Sequence, residues 1–162
     1  MDRRVLGLVV SAALLAVVVA VVVIARGGDD SEDGSTSSET RAKPEVEVPD
    51  GPPPDELVVE DLEPGDGAEA KSGDQISVQY VGVDYETGEE FDSSFDTGEP
   101  FALQLGAGSV IQGWDQGLEG MKVGGRRQLI IPPDLAYGAE GQPPVIGPNA
   151  TLVFVIDLVS ID

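Results

Sequence analysis

The sequence predicts an α+β fold: an antiparallel sheet with one short helix packed across it, behind an apolar span and an acidic linker. Three observations carry this. Between Leu57 and Asp162 the apolar residues recur mainly at every second position, the period of a strand. Only the stretch from Ser109 to Leu118 spaces them as a helix does. The mean hydropathy of the 162 residues is near zero only because one apolar stretch offsets a formal charge of −21.

The apolar stretch is Val5 to Ala25, and none of its residues is charged. As a helix it would span roughly 31 Å, which matches a hydrocarbon core of about 30 Å. Arg3 and Arg4 precede it and Arg26 follows, so the charge rule puts the N-terminus in the cytoplasm and the rest of the chain outside. The expectation is an uncleaved signal-anchor over residues 1–25, in a single-pass protein of the cell membrane. Cleavage after Val23-Ile24-Ala25, with secretion of the remainder, stays open.

Residues 26–56 carry ten acidic side chains against Arg26, Arg41 and Lys43, with Ala42, Val46 and Val48 as the apolar content. Ser, Gly and Pro fill much of the rest. Such a segment buries too little apolar surface to offset its ordering entropy, so a disordered tether is expected.

Residues 57–162 form the folded domain, with a net charge of −15. Leu57 to Leu62 reads as a first strand. Ile76, Val78 and Tyr80 alternate with polar residues as a second, and the turn signal Glu86-Thr87-Gly88-Glu89 leads to Phe91. Phe101, Leu103 and Leu105 alternate again. Ser109 is placed to cap a helix carrying Val110, Ile111, Trp114 and Leu118, which Gly113, Gly117 and Gly120 weaken. Arg126 to Ile131 is a strand stopped by Pro132-Pro133. Leu152, Phe154, Ile156 and Leu158 turn one face of a last strand inward.

Composition excludes much chemistry. The chain has no cysteine and no histidine, so disulfides, thiolate catalysis, Cys/His zinc sites and imidazole bases are absent. A pI near 4.1 argues against nucleic acid as a partner. Gly106-Ala107-Gly108 precedes the helix, but Ile111 stands where a dinucleotide loop needs its third glycine, so a tight turn is the reading. No calcium-loop spacing appears, and neither a metal nor a cofactor is expected. All eight aromatics lie between Tyr80 and Phe154.

The order of the landmarks is more specific than any one of them. Val78-Gln79-Tyr80-Val81-Gly82 is followed by Phe91-Asp92-Ser93-Ser94, Pro100-Phe101 and Gly108-Ser109-Val110-Ile111-Gln112-Gly113-Trp114. Then come Gly120-Met121, Val123-Gly124, Ile131-Pro132-Pro133, Ala136-Tyr137-Gly138 and Pro148 to Phe154. Together they resemble the FKBP-type peptidyl-prolyl cis-trans isomerases over essentially the whole domain. The resemblance implies a strongly curved sheet wrapping the helix. It implies a pocket in which Tyr80, Phe91, Asp92, Trp114, Tyr137 and Phe154 carry catalysis, with Trp114 as floor. It also implies substrate contacts from Phe101, Val110, Ile111, Leu103, Val145 and Ile146.

The clients implied are proline-containing polypeptides, exported or at the cell surface. Macrolide inhibitors are possible ligands, and a monomer is expected. Two roles remain open for Asp92: orienting Tyr80 or polarising the twisted amide, against pinning a loop through backbone amides. A catalytically weak module that binds peptides as a chaperone is the alternative function. Leu103 stands where the family often has an aromatic, and Gly147 replaces a usual proline in the loop 142–147.

Overall fold

The computed structural model describes residues 41–162. The expected signal-anchor, and residues 26–40 of the expected linker, lie outside the described residues. Among the described residues no helix is long and apolar enough to cross a membrane.

Six strands form one antiparallel sheet: β1 Val58–Glu63, β2 Gln75–Asp84, β3 Glu90–Ser93, β4 Phe101–Gln104, β5 Arg126–Ile131 and β6 Leu152–Ile161. Their spatial order is β1-β5-β6-β2-β3, with β4 also pairing β2. Irregular pairing interrupts β1 between Asp61 and Glu63, and β2 at Ser77/Val78 and at Gly82/Val83. Each irregularity adds local twist, which curves the sheet. One helix, α1 Gln112–Gly117, lies on the concave side, and a 3-10 turn covers Pro133–Leu135.

The main core fills the space between helix and sheet, with Ile76, Val78, Leu118, Met121, Leu129, Ile131, Leu152, Ile156 and Leu158 almost wholly buried. The helix has only six residues and survives through packing. Its glycines, which lower helix propensity, serve the approach to the sheet. A Cβ at Gly113 would stand 2.5 Å from Ile131, and one at Gly117 would stand 2.7 Å from Leu129.

The helix ends differ from the sequence expectation. Ile111, not Ser109, is the N-cap, and no side chain caps the helix. The Ser109 hydroxyl donates instead to the Gln104 carbonyl at 3.3 Å. Asp115 of the first turn accepts from the amides of Gly106 (2.9 Å) and Gly108 (3.1 Å). The glycine loop is thus clamped by a carboxylate of this chain, at the amides a phosphate would need. At the other end Arg127 donates to the carbonyls of Gly117 (2.8 Å) and Glu119 (3.2 Å), satisfying open C-terminal acceptors.

The last strand also differs. Every residue from Leu152 to Leu158 is buried, on both faces of the sheet. The convex face carries its own apolar cluster of Val81, Val83, Tyr85, Ile130 and Val153, against which Val46, Val48 and Phe95 pack. Part of the expected linker therefore lies along the sheet. Arg41 pairs with Glu63 and lies 3.7 Å from Asp157, while Lys43 reaches Glu90 (2.6 Å) and Asp96 (2.8 Å). The Ala42 carbonyl accepts from Arg126 at 3.3 Å, and Tyr85 Oη donates to the Pro52 carbonyl at 3.4 Å. Residues 41–52 form a strap without regular secondary structure. Its two valines alternate with exposed Glu45 and Glu47. Composition averaged over 31 residues hides that alternation.

Candidate active site

The concave face places the aromatics by strand register. Tyr80 and Gly82 lie two apart on β2, on one face. Gly82 is opposite Phe154 of β6 and opposite Asp92 of β3. Pairing then slips, so that Val83 faces Glu90 and Phe91 is the extra residue of the bulge. Phe91 and Asp92 both reach the concave side as a result, which strict alternation forbids. The Phe91 and Phe154 rings close over Gly82, where a Cβ would stand 2.6–2.7 Å from both. Glycine is the residue that fits there.

Trp114, buried on α1, is the floor. Its ring centroid lies 5.0 Å from Tyr80, 5.3 Å from Phe154 and 6.2 Å from Phe101, at interplanar angles of 80°, 87° and 80°. Phe91 meets Phe154 at 5.5 Å and 89°. These edge-to-face contacts fix the rings against one another. The Trp114 Nε1–H is buried and has no hydrogen-bond partner. The concavity holds about 350 Å³ and is lined by Tyr80, Phe91, Asp92, Phe101, Ser109, Val110, Ile111, Trp114, Tyr137, Gln142 and Phe154. A separate cavity of about 290 Å³ lies by Arg41 and Asp157, both held there by ion pairs.

Nine of the twelve residues singled out in the sequence line this concavity, and three do not. Leu103 is 4% exposed and faces the core. Phe101 is two residues earlier on the same face of β4, at the open rim, so Leu103 lies one step deeper. Mutual hydrogen bonds between the Gln142 and Ile146 backbones, both 2.9 Å, close the loop tightly. That turn buries Ile146 at 5% exposure and leaves Val145 in solvent at 60%. Ser109 and Gln142 line the concavity without having been singled out for it. Ser109 read as a helix cap, and its place beside Val110 and Ile111 was the available signal.

Asp92 is the only charged residue of the lining. Its Oδ2 accepts from Tyr80 Oη at 2.6 Å, so of its two open roles the contact found is the one that orients Tyr80. The neighbouring loop is tied by Ser94, which accepts from the Tyr80 amide at 2.8 Å. Burial, then the bond to Asp92, raises the Tyr80 phenol well above its ordinary value. Burial, then the Asp92 charge, raises Tyr137 too. Both hydroxyls therefore hold their protons at neutral pH. Tyr80 donates its proton to Asp92, whereas the Tyr137 hydroxyl donates to no group among the described residues. The backbone N–H of Ile111, before the helix, donates to no other backbone group among the described residues.

Comparison with known proteins agrees with this geometry. The model of the family described as FKBP-type peptidyl-prolyl cis-trans isomerase matches residues 67–159. The chain belongs to that family. As an FKBP-type protein it is a peptidyl-prolyl cis-trans isomerase. It is 57% identical over 120 residues to an FK506-binding protein of Streptomyces anulatus, a match covering 74% of this chain and 97% of that protein. It is 56% identical over 119 residues to a probable FK506-binding protein of Corynebacterium glutamicum, covering 73% and 98%. Among solved structures, AtFKBP13 superposes with a TM-score of 0.61 at 39% identity, over 65% of this chain and 93% of that one. FkpA from Escherichia coli gives 0.60 at 42% identity, over 65% of this chain and 48% of FkpA. The FKBP model begins after the strap and β1, which lie outside its match.

Proposed function

We propose that the aromatic concavity is where this isomerase turns Xaa-Pro bonds, and that its clients are exported or cell-surface proteins. The supporting observation is the set of six rings around one opening, with Tyr137 and the Ile111 amide as free donors at its edge. Rotation about the bond faces a barrier of about 18–20 kcal/mol because amide resonance is lost at the twisted midpoint. Catalysis requires the twisted form to be bound better than either planar form. A twisted amide is less dipolar than a planar one, so an apolar enclosure disfavours the planar ground states relative to water. Trp114, Phe91 and Phe154 hold the proline ring, while Tyr137 or the Ile111 amide receives the turning carbonyl. No covalent step is needed. Lowering the barrier by about 7–8 kcal/mol corresponds to roughly a millionfold acceleration.

The same cavity takes FK506-type macrolides, in keeping with the names of the relatives. One copy of the chain supplies every lining residue, and we propose that it acts as a monomer. The charge-free stretch Val5–Ala25 supports an anchor that holds the domain outside the cell. Protease added to intact cells should then remove the domain from a cell-bound fragment; full protection would overturn that placement.

The deciding experiment measures cis-trans exchange of an Ala-Leu-Pro-Phe peptide with the full-length chain in detergent. Wild type accelerates exchange. Tyr137→Phe, which removes one exposed hydroxyl, lowers kcat/KM by about threefold to tenfold, as expected for one lost hydrogen bond. Phe154→Ala lowers it by tenfold or more, read alongside circular dichroism because about 3–5 kcal/mol of stability is also lost. No acceleration by wild type would overturn the reading.

A further inference from the structure

We infer that Lys43 of the strap is a positioning residue for the isomerase. It bridges Glu90 and Asp96 and so holds β3 in the slipped register that brings Phe91 and Asp92 together into the concavity. This rests on the reading of the concavity as the place of turnover. Lys43 itself is not among the lining residues.

The stretch from Glu86 to Glu99 carries Glu86, Glu89, Glu90, Asp92, Asp96 and Glu99, and no lysine or arginine. Among the described residues its ion pairs are the two with Lys43, to Glu90 at 2.6 Å and to Asp96 at 2.8 Å. The countercharge therefore comes from outside the stretch, and from outside residues 67–159 that the family model matches. Glu90 stands opposite Val83 of the convex cluster, so it faces away from the concavity. Phe91 and Asp92 follow it directly, and Asp96 lies just beyond Ser93, Ser94 and Phe95. One ammonium thus joins the two ends of the segment that holds a wall ring and the partner of Tyr80. That segment is weakly specified otherwise. β3 has four residues, lies at one end of the strand order and carries the bulge. A slip of one residue there would restore strict alternation and send Phe91 or Asp92 to the convex face. Without Lys43, two carboxylates close enough to share one ammonium repel each other across the segment. Exposed ion pairs add little to global stability. At a short bulged edge strand, a small contribution decides geometry instead.

The test measures exchange of a terminally blocked, uncharged Ala-Leu-Pro-Phe peptide with the full-length chain in detergent. Lys43→Met keeps the apolar stem and removes the ammonium. It should lower kcat/KM by about twofold to fivefold, the range set by exposed charge pairs, and Lys43→Arg should restore most of that loss. NMR of the same samples should show amide shifts between Glu89 and Asp96 and a weakened contact between the Phe91 and Phe154 rings. A merely stabilising role would leave both signals in place in the folded variant. Glu90→Gln combined with Asp96→Asn should give the same loss, and adding Lys43→Met to that pair should cost nothing more. Salt at about 0.5 M should bring wild type toward Lys43→Met. Wild-type turnover by folded Lys43→Met overturns the inference and leaves the isomerase reading intact. A full further loss on adding Lys43→Met to the double variant overturns the bridge as the cause. If Lys43→Met does not fold, the double variant decides, and its unchanged turnover would sink the inference. No acceleration by wild type overturns the isomerase reading itself.

Discussion

A methyl group added at Gly82 would stand 2.6 Å from a carbon of the Phe154 ring and 2.7 Å from the Phe91 ring. Two walls of the concavity would have to move together. Gly82→Ala is therefore expected to cost about 1–3 kcal/mol of stability and to lower kcat/KM by about tenfold to a hundredfold. Thermal unfolding and the exchange assay read the two effects separately; wild-type activity would mean that the rings have slack. Tyr80 makes a different prediction. Its phenol is raised in the folded chain, first by burial and then by Asp92, so the native state holds that proton more tightly than the unfolded chain does. The resulting stability is fully present below the unfolded value of about 10 and is lost as pH rises beyond it. Denaturant midpoints between about pH 8 and 11 should fall more steeply for wild type than for Tyr80→Phe. Parallel curves would remove Tyr80 as the cause.

At the level of elements, the alternation of Ile76, Val78 and Tyr80, or of Phe101, Leu103 and Leu105, was enough to place strands, because period two is a local property. The rings that share the concavity were legible only through the order of the motifs. Register is not local: nothing in Glu90-Phe91-Asp92 states that pairing slips there and turns two consecutive side chains to one face. Leu103 and Ile146 entered the expected site through the family resemblance, and a resemblance of motifs does not say which side chain stops at the rim and which continues into the core. The helix is the opposite case, since its glycines look like defects until the sheet beneath them is seen. Alanine at Gly117 improves helix propensity by about 1 kcal/mol, yet its Cβ would stand 2.7 Å from Leu129. Gly117→Ala should therefore lower the melting temperature. A rise would show that propensity outweighs contact there.

On the scale of the whole molecule, the strap changes what counts as the folded unit. Val46 and Val48 cover part of the convex cluster, and Arg41 and Lys43 bring positive charge to four carboxylates of an acidic domain. Val46→Ser combined with Val48→Ser should cost about 2–3 kcal/mol through lost apolar burial. It should also increase binding of an apolar dye while leaving the concavity, on the other face of the sheet, able to turn peptides. An unchanged denaturant midpoint would show that the strap is only resting there.

The position of β6 has a consequence in time. It is the last strand of the sheet in sequence, yet it pairs along its length with both β5 and β2 and joins the two halves of the sheet. While the ribosome is still short of Leu152, β1 and β5 on one side and β2, β3 and β4 on the other have no common neighbour, and Phe154 does not yet exist to close the wall. The nascent chain therefore has no closed concavity until β6 has been made. An isomerase of this family thus gains its aromatic concavity late and in a single stroke.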